Sequence, residues 1–150
     1  VWSVGCDRML DFVHFNVHTD YSLLHSSLKL KELIKKTEEF EFKAVAITEL
    51  ANMFSAVDFY KQAKNFKPII GIDSYVGDKK YRLKLIAKTI EGYNNLMYLS
   101  SISYLYNYEN NDIAIIPYDE LIKHKDGIVV IINYLESEIG FHLNILNQDN

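Results

Sequence analysis

The chain has 150 residues, 49% of them apolar and 24% charged, which is the composition of a globular domain and not of a disordered segment. Its formal net charge of -4 argues against a broad electrostatic grip on nucleic acid, which needs a basic face. A single cysteine, Cys6, excludes an internal disulfide and a cysteine-based zinc site, and suits a reducing cytoplasm.

No apolar run approaches the roughly 20 residues of a membrane span, and the start lacks a signal-peptide pattern. Residues 1–10 do not begin with Met and fit no pattern downstream, so they read as an extraneous leader or a disordered N-terminus. Residues 11–150 then form the folded part.

In residues 12–22, FVHFNVHTDYS, the polar residues His14, Asn16 and His18 fall two apart. That spacing predicts a strand with these three on one face and Val13, Phe15 and Val17 on the other. Two readings fit: a strand lining a polar cleft, or an ordinary half-buried strand whose polar face carries two histidines. A loop follows over 20–27. Leu30, Leu33, Ile34 and Thr37 recur at helical spacing opposite Lys31, Lys35 and Lys36, an amphipathic helix with a solvated charged face.

Residues 44–47 are a short apolar run, as in a strand covered on both faces. A second helix is expected over 53–66, stopped by Pro68. Residues 69–76 and 81–87 read as a hairpin turning at 77–80. Residues 91–106 are helical and apolar almost all round, so this helix is either buried or packed on a partner. A polar loop, a short helix after Pro117, a fifth strand over 128–132 and a last helix over 135–146 complete the chain. Strands alternating with helices imply an α/β fold with parallel pairing, in which sites lie at the carboxyl ends of strands. Three such ends are polar: His18-Thr19-Asp20, Thr48-Glu49-Leu50 and Asp73-Ser74.

These ends carry a resemblance. FVHFNVHTDYSLL, AVAITELANMFSAVDFY and KPIIGIDSYV, with EGYNNL and IPYDELIKHKDGIVVII after them, resemble the PHP (polymerase and histidinol phosphatase) domain that begins the bacterial DNA polymerase III alpha subunit. The resemblance spans about residues 11–133. It implies an N-terminal part of a PHP domain, a partial (β/α)7-type barrel with mostly parallel strands, about five of them present. It also implies a zinc, manganese or magnesium cluster at the strand ends in active members.

The matching positions depart from that pattern. The paired histidines of the first block fall on Asn16 and His18, with His14 matching a histidine common in the polymerase branch. The second block, normally Thr-Asp-His-Gly-Asn, reads Thr48, Glu49, Leu50, Ala51, Asn52, and Asp73 stands where a glutamate is usual. Asn16 offers no imidazole nitrogen and Leu50 cannot ligate. Changes even behind a metal's ligands cost about 10–100-fold in affinity or activity. The resemblance therefore implies a degenerate site: no metal is expected at His14, Asn16, His18, Glu49 and Asp73, and no catalytic or cofactor-binding residue. His124 and His142 read as plain helix residues.

By the same resemblance the role is structural. The segment would support the body of the polymerase alpha subunit and dock the proofreading exonuclease subunit. DNA is met only through the full-length polymerase, a DNA-directed DNA polymerase, and no membrane is involved. Phe54, Phe59, Tyr104 and Tyr106 are candidates for a partner surface, or equally for the core. The alternative is a metal-dependent phosphoesterase or 3′–5′ exonuclease in which His14, His18, Glu49 and Asp73 still hold a metal. Five strands cannot close a seven-stranded barrel, so an open edge and self-association are expected of the chain alone.

Overall fold

The structure, a computed structural model, describes residues 12–78, 81–106 and 113–133. Its elements in chain order are α1 (Leu30–Glu39), β1 (Ala44–Leu50), α2 (Ala56–Gln62), β2 (Lys67–Val76), β3 (Tyr81–Ala87), α3 (Ile90–Tyr106), β4 (Ile115–Ile116), α4 (Tyr118–Lys123) and β5 (Ile128–Ile132). The strands form one sheet in the order β1-β2-β3-β5, with β4 paired to β2. β1 and β4 run parallel to β2, while β3 is antiparallel to both β2 and β5. The result is a mixed α/β sheet, as a partial barrel of the kind the resemblance implies would have. The hairpin expected over 69–87 is present, and Gly77 supplies the positive φ of its turn.

Register assigns the two faces. Val45 and Ile47 on β1 share a face with Ile72 and Val76 on β2 and with Leu85 on β3. The helices cover that face. α1 and α2 bury Leu33, Ile34 and Phe59 against Val45 and Ile47, and α3 and α4 bury Leu96, Leu99 and Leu121 against Ile72, Val76 and Leu85. Each such side chain contributes about 1.5–3 kcal/mol relative to exposure. The opposite face carries Thr48, Gly71, Asp73, Arg82 and Lys84, as the inner face of a barrel would.

Three expectations need correction. Residues 12–18 are not a regular strand; they run beside β1 with one isolated bridge, His14 to Val45. The Ala46 N–H donates to the His14 carbonyl (2.9 Å) and the Thr48 N–H to the Val17 carbonyl (2.8 Å). Two residues of β1 thus span three of this segment, a bulge that breaks the alternation. The strand expected over 128–132 is present as β5; the strand that the sequence does not show is β4, too short to show a period. α2 is shorter than 53–66, because Asn52 turns the chain by accepting from the Phe54 N–H (3.1 Å). Of the two readings of α3, burial all round fails: Leu96 and Leu99 are fully buried, whereas Ile90, Met97, Tyr98 and Leu105 are exposed. The helix expected over 135–146 lies outside the described residues.

Candidate functional site

The carboxyl ends of β1 and β2 bring Glu49 and Asp73 close in the chain's backbone. Leu50 is the register partner of Asp73, and the Ala51 N–H donates to the Asp73 carbonyl at 2.8 Å. Glu49 pairs with Ile72, so alternation sends the two carboxylates to opposite faces of the sheet. Both are buried. A buried carboxylate needs partners, and the two find entirely different ones.

Glu49 sits in a nest of hydroxyls. It accepts from the Thr19 N–H (3.0 and 3.3 Å to its two oxygens) and from the hydroxyls of Thr19, Ser22 and Ser55, the last at 2.9 Å. Thr19 and Ser22 reach it because residues 19–26 fold on themselves. The Ser22 N–H donates to the Thr19 carbonyl (2.9 Å), and the Ser26 hydroxyl to the His18 carbonyl (2.8 Å). The lone pairs of Glu49 are thereby committed to neutral donors.

Asp73 sits among cations. Arg82 Nε donates to Oδ1 at 2.9 Å, and Lys84 Nζ and His18 Nε2 lie 3.3 Å from Oδ2. Oδ2 has no hydrogen bond of good geometry, so its contacts are chiefly electrostatic. Burial alone raises the carboxyl's pKa. The polar contact of His18, the hydrogen bond from Arg82 and the charges of Lys84 and Arg82 outweigh that and hold it below the ordinary carboxylate value.

His18 joins the two carboxylate environments. Its Nε2 also lies 3.2 Å from Asn16 Oδ1, and its Nδ1 lies 3.4 Å from the Ser22 hydroxyl. The two oxygen acceptors assign the proton to Nε2. Ser22 has one proton, given to Glu49, and its oxygen accepts from the Leu50 N–H at 2.9 Å. Serine, imidazole and aspartate therefore lie in sequence here without an activated nucleophile.

The structure thus brings Asn16, His18 and Asp73 together and leaves the rest of the expected set apart. His14 bridges to Val45 near the other end of β1, its ring edge-on to Phe12 (4.7 Å) and Phe42 (5.2 Å). Glu49 is on the far face. Among the described residues, no group of three or more His, Cys, Asp or Glu side chains is placed to hold a metal ion.

Arg82 and Lys84 were missed as site residues because their alternation with Leu83 and Leu85 marks a strand and no more. A hairpin turning at 77–80 pairs Val76 with Tyr81 and therefore Asp73 with Lys84, a signal available in the spacing alone.

Of the residues that could belong either to a partner surface or to the core, Phe59 is fully buried in the core. Phe54 and Tyr104 are exposed and line one pocket of about 520 Å³ with Leu23, Leu50 and Asn52. The Tyr106 side chain and His142 lie outside the described residues. His124 caps the end of α4 and packs edge-on against Tyr98 at 4.2 Å, a helix-end residue as expected.

The PHP domain family matches residues 14–150. The chain belongs to the PHP domain family. Similar relatives are DNA polymerase III alpha subunits. That of Helicobacter pylori is 38% identical over 93% of this chain, and that of Campylobacter jejuni 37% over 95%. That of Aquifex aeolicus is 33% identical over 90%. The chain spans only 12 to 13% of the length of these relatives. No helix among the described residues is long and apolar enough to cross a membrane.

Proposed function

We propose that this chain is the N-terminal PHP segment of a bacterial DNA polymerase III alpha subunit with a degenerate metal site. Its task in DNA replication is structural: it supports the polymerase body and docks the proofreading exonuclease subunit, in the cytoplasm, meeting DNA only through the whole polymerase. The relatives supply the replication context.

One observation carries the metal-free reading: Asp73, a vestigial ligand position, is already neutralised by Arg82 and Lys84. A divalent ion there would face two fixed cations within a few ångströms, a strong repulsion in a low-dielectric site. The donor set does not fit a metal. Asn16 offers an amide oxygen, and Glu49 is occupied by hydroxyl donors. The protein's own cations, Arg82 and Lys84, supply the positive charge beside Asp73.

The test is the metal content of purified protein after incubation with zinc and manganese, by elemental analysis. Less than stoichiometric metal is expected, together with binding of the exonuclease subunit of the same genome in a titration. Stoichiometric metal lost in His18→Ala or Asp73→Ala would overturn the reading and favour a metal-dependent phosphoesterase or 3′–5′ exonuclease.

A further inference from the structure

At the end of the sheet away from Asp73, the strands part. β2 pairs with β3 only from Gly71 onward, so Lys67–Ile70 has β1 on one side and no ladder partner among the described residues on the other. The gap opens a groove of about 770 Å³. Its apolar lining includes Val57, Tyr60, Ile69, Ile86, Ile90 and Val129. Val57, Tyr60, Ile90 and Val129 are 52%, 68%, 77% and 44% exposed, more contiguous apolar surface than scattered surface residues explain.

The charge at this groove is one-sided. Lys61, Lys67 and Lys88 line it, and no Asp or Glu does. All three lysines are exposed, and none is held in an ion pair among the described residues. A purely cationic rim on a chain of net charge -4 is a local feature that the average would not produce.

We propose that this groove docks an acidic amphipathic segment of a separate polypeptide, with apolar side chains facing the floor and carboxylates facing the three lysines. The apolar lining disfavours nucleic acid, whose recognition rests on phosphate and base contacts. Three separated cations fit several carboxylates distributed along a peptide. Helix-in-groove and extended-peptide docking both work this way, with apolar anchors giving affinity and rim charges giving orientation and rate. The inference gives the docking role proposed above a location and a partner chemistry, yet it stands on the groove and not on the metal reading.

The experiment uses the full chain and two fluorescein-labelled synthetic peptides. Both carry leucines at i, i+3, i+4 spacing; one has glutamate at the remaining positions and the other lysine. Fluorescence anisotropy should show the glutamate peptide binding at least about tenfold tighter, with affinity falling as salt rises. The triple reversal Lys61→Glu, Lys67→Glu, Lys88→Glu should remove that preference, and Tyr60→Ala should weaken both peptides. Circular dichroism checks folding, and single reversals replace the triple one should it fail to fold. Equal binding of the two peptides, binding of neither, or indifference to the reversals overturns the proposal. So does a dimer that the reversals dissociate, which would make a second copy the occupant. Metal content should be unchanged throughout, which separates this outcome from failure of the metal-free reading.

Discussion

Lys84 stands directly opposite Asp73 across the antiparallel pair of β2 and β3, and both side chains are buried. An ion pair in that setting is weak evidence of net stabilisation, because desolvation offsets much of the attraction. It is strong evidence of mutual dependence. Removing the carboxylate in Asp73→Ala takes from the buried Lys84 the counter-charge it faces and leaves it beside Arg82, and should cost about 3–5 kcal/mol. Lys84→Met leaves Asp73 with Arg82 and His18, so its loss should be smaller, about 1–3 kcal/mol. The double replacement Asp73→Ala with Lys84→Met should cost clearly less than the sum of the singles. Urea denaturation of the four proteins measures this; strict additivity would show that the pair is not coupled.

The acid response of the protein follows from the same carboxylate. The folded pKa of Asp73 lies below its ordinary value, held there by His18, Arg82 and Lys84 against the opposing effect of burial. A depressed pKa means that the stabilisation is complete above the unfolded pKa, about 3.9, and is lost as pH falls through the folded one. The gap in urea midpoint between wild type and Asp73→Asn should therefore be constant from neutral pH to about 5 and shrink below about 4. A gap that holds steady or widens on acidification would contradict the assigned ion cluster.

How much of this was legible beforehand divides along physical lines. Elements with a clean period were readable: Leu30, Leu33, Ile34 and Thr37 mark the buried stripe of α1, and Leu83 and Leu85 the covered face of β3. Positions decided by long-range pairing were not. The alternation of His14, Asn16 and His18 suggested one shared face, but the bulge against β1 separates His14 from the other two. Glu49 and Asp73 both end strands, and only the register of β1 on β2 reveals that they face apart. The hydroxyls of Thr19, Ser22 and Ser55 carry no pattern of their own, because any polar loop contains such residues. Their meaning arises only when the fold delivers a buried carboxylate to them.

The end of α1 was likewise invisible, and it yields a stabilising change. Glu41 has φ +53, the left-handed conformation that glycine usually supplies after a helix. The Phe42 N–H reaches the Thr37 carbonyl (3.1 Å) and the Glu41 N–H the Glu38 carbonyl (3.1 Å), the paired bonds of a Schellman stop. Glu41 is exposed and its side chain makes no ion pair among the described residues. Glu41→Gly should therefore raise stability by about 0.5–1 kcal/mol through relief of strain. Thermal unfolding should show a higher midpoint, and a lower one would mean that the glutamate side chain contributes more than its backbone costs.

Two glycines lock α3 to the start of β5. A Cβ on Gly92 would lie 1.9 Å from the Gly127 carbonyl oxygen, and one on Gly127 would lie 2.6 Å from the Gly92 nitrogen. Those two obstacles are backbone, which no rotamer change can relieve, and a Cβ on Gly127 would also meet the Thr89 hydroxyl at 2.1 Å. Gly127 also has φ +73, and its carbonyl accepts from the Lys88 N–H at 2.8 Å, closing the connection between β3 and α3. Overpacking of this kind costs about 1–3 kcal/mol, with roughly another 1 for the left-handed backbone at Gly127. Gly92→Ala and Gly127→Ala should each lower the urea midpoint, the latter by more relative to its contact distance because strain adds to the clash. Since either one forces α3 away from β5, the second substitution should cost less once the first is present. Equal, additive losses would indicate that the helix and the strand yield independently and that the contact is not a lock.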